Sequence, residues 1–144
     1  VGVTAIVPVF TSRCVSRPDG KSLEKKIQRW QKIALEAAKQ SGRGCIPKIF
    51  PALSFKDAVV FAKNCDKIIL FYEDNGQVLT DILKSKSQSV SVFVGPEGGF
   101  EAFEVEEVTK LGGKICSLGK RILRTETAAI VSVALTIYES EREK

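Results

Sequence analysis

The sequence predicts an α/β domain with a mostly parallel sheet covered by helices on both faces. Three observations carry that prediction. Short β-branched or apolar runs alternate with stretches of helical periodicity from one end to the other. No linker, low-complexity segment or internal repeat interrupts the alternation. The 144 residues suit one domain spanning 1–144, long enough to bury about two-thirds of the surface its unfolded chain exposes.

The elements follow in order. VTAIVPV (3–9) reads as a buried strand, and Pro18-Asp19-Gly20 as a turn. From Ser22 to about Gly42 a helix is expected, with Leu23, Ile27, Trp30, Ala34, Ala37 and Ala38 on one stripe and Lys25, Lys32 and Lys39 on a polar flank. Gly42 and Gly44 end it. KIF (48–50), between two prolines, suits a short edge strand. Ser54 and Asp57 form a capping-box pattern ahead of AVVFA. KIILFY (67–72) is a second buried strand, Asp74-Asn75-Gly76 a turn, and VLTDILKS a short helix. SVSVFV (89–94) is a strand that runs into GPEGGF. A helix over 101–111 points Phe103 and Val108 inward, and Gly112-Gly113 breaks it. KICSL (114–118) is the last strand. After the loop GKRILR, a helix over 125–141 carries apolar residues all round, from Ala128 to Tyr138. Such a helix is either deeply buried or covered by another subunit.

Composition narrows the function classes. No apolar run approaches the roughly 20 residues of a membrane span, and no charged-then-apolar leader opens the chain. The four cysteines are scattered and there is no histidine, so no metal site is expected. Reduced thiols suit a cytosolic protein. The absence of methionine and the start at Val1 suggest a piece of a longer protein, with a domain preceding it. Between Arg13 and Lys48 lie ten Lys or Arg against three Asp or Glu, a net +7 in a chain of +5. That segment is either a solvated helix face or a surface for a polyanion, nucleic acid above all.

In parallel α/β sheets ligands bind beyond the carboxyl ends of strands. FYEDNG, GPEGGF and SLGKRILRTET all follow strand ends. The dinucleotide and P-loop glycine motifs are absent, as is a nucleophile elbow. What remains is glycine backbone, Glu97, and Arg121 and Arg124 ahead of a helix start. These parts suit a small ligand carrying an adenine and a positive charge. A tight turn and a capped helix are the plain readings of the same motifs.

Taken together the motifs are more specific. GPEGGF followed by LGKRILRTETAA resembles the RsmE family of ribosomal RNA uridine methyltransferases, within the SPOUT superfamily. SRCVSR resembles that family's Arg-containing loop, and Glu36, Ala37, Gln40 and Arg43 its E-A-x-x-Q-x-x-R run. The resemblance covers nearly the whole chain and implies that the family's PUA-like N-terminal RNA-binding domain is missing from it. It implies a C-terminal trefoil knot, a homodimer through the last helix, and methyl transfer from S-adenosylmethionine to N3 of a uridine in small-subunit ribosomal RNA. Cytoplasmic location is implied, organellar in a eukaryote, with no membrane or metal. It also implies cofactor-binding positions. These are Leu70, Phe71 and Glu73; Val94, Gly95, Pro96, Glu97, Gly98 and Gly99; and Leu118, Gly119, Arg121, Ile122, Leu123 and Thr127. Arg124, Arg121 and Glu126 are the catalytic candidates, with Glu97 an alternative base. Arg13, Lys25, Lys32 and Arg43 are the RNA-binding candidates. The alternatives are another SPOUT enzyme acting on ribose or a transfer RNA base, an inactive RNA-binding module of this fold, or a Rossmann-type nucleotide binder.

Overall fold

Parallel pairing runs throughout the computed structural model, which describes residues 1–73 and 76–142. The first predicted strand forms as two pieces, β1 (Ala5–Ile6) and β2 (Val9–Phe10), because Pro8 between them has no amide to give a ladder. α1 (Gly20–Gln40) begins where Asp19 accepts a hydrogen bond from the Ser22 amide at 2.8 Å. β3 (Lys48–Ile49) pairs with β1, and β4 (Leu53–Ser54) with β2. From Ile6 to Val9 is three steps but from Ile49 to Leu53 four, so the second chain carries one extra residue beside Pro51. β4 lies beyond the strand expected at 48–50. The open edge of β3 is closed by Gln31, which accepts from the Ile49 amide and donates to the Pro47 carbonyl, both at 2.9 Å.

The stripe expected on α1 is narrower than its sequence suggested. Ala34 and Ala38 are buried, while Trp30 and Ala37 are exposed. The helix packs on β3, whose two residues leave most of the stripe without a partner.

α2 (Phe55–Ala62) is capped by Ser54 as expected, the hydroxyl accepting from the Asp57 amide at 3.1 Å. β5 (Lys67–Phe71), α3 (Leu79–Leu83), β6 (Val90–Val94), α4 (Ala102–Lys110), β7 (Lys114–Cys116) and α5 (Thr125–Arg142) complete the order. The turn expected at Asp74-Asn75 lies outside the described residues.

β5 is the centre of a three-stranded sheet, β6-β5-β7. Its alternation fills two cores. Ile68 and Leu70 join Phe55, Val59, Phe93 and Val108 under α2 and α4. Ile69 and Phe71 join Leu79, Ile82, Leu83 and Cys116 on the α3 face. Burial on both faces explains the continuous apolar run KIILF. Phe103 does not point inward: it is 54% exposed, and α4 turns Glu104 and Val108 to the core, one helical turn apart.

β7 is held on both sides. The Tyr72 amide donates to the Cys116 carbonyl at 2.9 Å and the Gln77 amide to the Ile115 carbonyl at 2.8 Å. β7 therefore runs between β5 and the chain that follows β5. Gly76 is pressed so close that a Cβ there would lie 2.3 Å from the Ser117 nitrogen.

Candidate functional site

β5, β6 and β7 are parallel, so Phe71, Val94 and Cys116 end at one edge and deliver three loops there. A cavity of about 130 Å³ lies between them. The first loop contributes Phe71 and Glu73, the second Val94, Gly95, Pro96 and Gly99, and the third Leu118, Gly119, Arg121, Ile122 and Leu123. A wider recess of about 510 Å³ adjoins it, sharing Glu73, Pro96, Gly99, Ile122, Leu123 and Thr125. Glu97, Gly98, Arg124 and Glu126 complete that second recess. All three catalytic candidates therefore border one continuous cleft, Arg121 on the first recess and Arg124 with Glu126 on the second.

The GPEGG segment is a tight turn and a site wall at once. The Gly99 amide donates to the Pro96 carbonyl at 2.8 Å, which puts Glu97 and Gly98 at the exposed tip. Phe71, Val94, Phe100 and Leu118 give the inner cavity apolar wall, and Glu73, Lys120 and Arg121 also border it. The outer recess carries the carboxylates Glu73, Glu97 and Glu126 and the Arg124 guanidinium. The Cys116 thiol, beneath the third loop, is fully buried and pushed up to about 11 by desolvation, so it stays protonated.

Two expected positions stand apart from this cleft. Leu70 is wholly buried, because strand alternation turns it to the α2–α4 face while Phe71 faces the other way. Thr127 borders neither recess; Thr125 and Ala128, three apart on α5, occupy that face instead. Tyr72, Phe100, Ser117, Lys120, Thr125 and Ala128 line the cavity without having been named among the cofactor positions. Each lies within one of the segments the sequence had pointed to, FYEDNG, GPEGGF, SLGKRILRTET or LGKRILRTETAA.

The four basic candidates divide. Lys25 and Lys32 are exposed on α1. Arg43 is half-buried and donates to the Val3 carbonyl at 2.8 Å and the Gly2 carbonyl at 3.0 Å, tying down the chain before β1. Arg13 reaches Glu101 and Gly98 at the second loop. Among the described residues, no three His, Cys, Asp or Glu gather as a metal site, and no helix is long and apolar enough to cross a membrane.

Comparison with known proteins sets this geometry in context. The family model for an RNA methyltransferase domain matches residues 1–137. The chain belongs to that family. Among its curated relatives, ribosomal RNA small subunit methyltransferase E of Bacillus subtilis is 36% identical over 98% of this chain. The protein of the same name from Mesomycoplasma hyopneumoniae is 41% identical over 90% of it. This RNA methyltransferase domain spans 58% and 56% of their respective lengths. A Legionella pneumophila protein solved with bound SAM superposes with a TM-score of 0.88 at 32% identity, over 94% of this chain and 55% of that one. A ribosomal RNA small subunit methyltransferase E from Neisseria gonorrhoeae, bound to S-adenosyl methionine, gives 0.81 at 34% identity, over 93% and 54%.

Proposed function

We propose that this domain transfers a methyl group from S-adenosylmethionine to N3 of a uridine in small-subunit ribosomal RNA. One observation carries the reading: three strand-end loops meet in a single cleft, in a fold whose relatives hold this cofactor. The residues fit the molecule. Phe71, Leu118 and Leu123 offer apolar surface to an adenine, and the backbone of Gly95, Gly99 and Gly119 offers polar groups to its edge. Glu73 and Glu97 offer negative charge to a sulfonium. When bound, the cofactor supplies an electrophilic methyl.

The remaining chemistry falls to the chain. Uracil N3 carries an imide proton that must be lost, and negative charge then spreads onto the two flanking carbonyl oxygens. Arg124, bordering the outer recess, is assigned to stabilise that charge, with Arg121, on the inner cavity, as the second candidate. Glu126 or Glu97, both on the outer recess, is the proposed acceptor of the proton. N3 lies on the Watson–Crick edge, so the base must enter unpaired.

Three structural features belong to the same proposal. The passage of β7 between β5 and residues 76–77 supports the trefoil knot of the SPOUT superfamily. α5 buries Ser132 and Thr136 and leaves Ile130, Leu135 and Tyr138 exposed, which supports a homodimer through that helix. The unmatched length of the relatives leaves room for a PUA-like domain ahead of the single domain at 1–144, in a cytoplasmic protein.

Titration calorimetry with S-adenosylmethionine and a single-turnover assay on ribosomal RNA test the reading. Arg124→Ala is expected to keep cofactor affinity within a few-fold and to slow methyl transfer by about 10²-fold or more. Lost cofactor binding with normal turnover at saturation would remove Arg124 from the chemistry. A methylated nucleoside other than N3-methyluridine would redirect the substrate assignment.

A further inference from the structure

Arg13 stands on the loop after β2, in a different sheet from the cleft, yet its guanidinium is engaged there. Nε donates to Glu101 Oε1 at 2.9 Å and Nη2 to Glu101 Oε2 at 3.2 Å. Nη1 donates to the Gly98 carbonyl at 2.7 Å. The contact is also steric: a Cβ on Gly98 would lie 3.0 Å from the Arg13 Cβ, so the glycine lets the arginine stem lie against the turn. A second stitch runs beside it. The Ser12 amide donates to Glu104 Oε1 at 2.9 Å and the Glu101 amide to Glu104 Oε2 at 2.8 Å.

We infer that Arg13 is a positioning residue that holds the GPEGG turn in its cofactor-binding shape, acting through Gly98 and Glu101. The inference rests on the proposed cofactor cleft and deepens it. Arginine suits the task because one planar fork spans a carboxylate and a carbonyl together; a lysine ammonium is a single point charge. The pair is accessible, with side chains 46% and 39% exposed, so it fixes the turn rather than the fold. Three of the five N–H donors of the guanidinium are committed to the turn.

The experiment compares S-adenosylmethionine affinity by calorimetry, and the salt dependence of ribosomal RNA binding, across wild type, Arg13→Ala, Arg13→Lys, Glu101→Gln, the double variant Arg13→Ala/Glu101→Gln, and the swap Arg13→Glu/Glu101→Arg. Arg13→Ala and Glu101→Gln are each expected to raise the cofactor Kd about three- to tenfold. The Arg13→Ala/Glu101→Gln double variant should be no worse than the poorer single, since both remove one contact. Arg13→Lys and the swap should each recover part of the loss seen in Arg13→Ala. The salt slope of RNA binding should stay at the wild-type value in all of them. A normal cofactor Kd in Arg13→Ala with a shallower RNA salt slope would overturn the inference and make Arg13 a phosphate contact. Additive losses would also overturn it. A wild-type domain that fails to bind the cofactor at all would overturn the reading of the cleft itself, and this inference with it.

Discussion

Glu104 is fully buried, yet its two carboxylate oxygens are both occupied, one by the Ser12 amide and one by the Glu101 amide. Removing it leaves two backbone donors without partners and a void beside Val108. Glu104→Ala is expected to destabilise the domain by about 3 kcal/mol, seen as a lower urea midpoint at unchanged slope. Glu104→Gln, which keeps one acceptor, should cost about half as much. A change under about 0.5 kcal/mol for the alanine variant would show that the amides find water instead. Glu104 was not legible from residue type, since charged residues are rarely buried whole. The spacing did hold a hint: a carboxylate three residues past a helix start reaches back to the cap amide. Glu101 at the cap disguised it, standing where serine or threonine gives the familiar pattern. At the GPEGG turn the residues were legible because glycine and proline have few other uses. The tie from Arg13 to that turn was not, because its partners lie 85 and 88 residues away.

Whole elements were easier to read than their boundaries and partners. Every helix and the strands β5, β6 and β7 follow from apolar periodicity and capping chemistry, because burial on one or two faces imposes it. The break of the first strand was open to a local reading, at Pro8, but β4 beyond Pro51 depends on a pairing register that no local pattern encodes. The same holds for the crossing at Gly76. Gly76→Ala would drive a Cβ to 2.3 Å from the Ser117 nitrogen and 2.5 Å from the Cys116 carbonyl carbon, both backbone atoms beside the central sheet. The expected result is loss of about 3 kcal/mol or more, or failure to fold, by circular dichroism and urea titration. Gly44→Ala, with nothing within 4 Å, is the matched control and should stay near wild type. α1 makes a different prediction. Its exposed Lys25 and Lys32 face solvent one above the other along the helix. Reversing both to Glu should weaken RNA binding and make its salt slope shallower by about two. An unchanged slope would return that face to ordinary solvation.

At the scale of the molecule, α5 is built inside out. Its inward face, against α3 and β6, carries Ser132 and Thr136, whose hydroxyls are satisfied within the helix at 3.1 Å and 2.7 Å. Across the helix, Ile130, Leu135 and Tyr138 are 61%, 42% and 61% exposed. A lone domain gains nothing by burying hydroxyls and exposing apolar side chains, whereas a two-fold interface buries the same patch twice. The cleft reaches the first turn of this helix through Thr125, Glu126 and Ala128, so a dimer through α5 would lie beside the site. Ile130→Glu with Leu135→Glu is expected to convert a dimer to a monomer in sedimentation, because each introduced carboxylate would be desolvated against its symmetry mate. Cofactor affinity should fall with dimer content across a dilution series, while circular dichroism stays native. A wild-type domain that sediments as a monomer at micromolar concentration would refute the interface and leave the exposed face for another partner. A monomeric variant with undiminished cofactor affinity would keep the interface but separate it from the cleft.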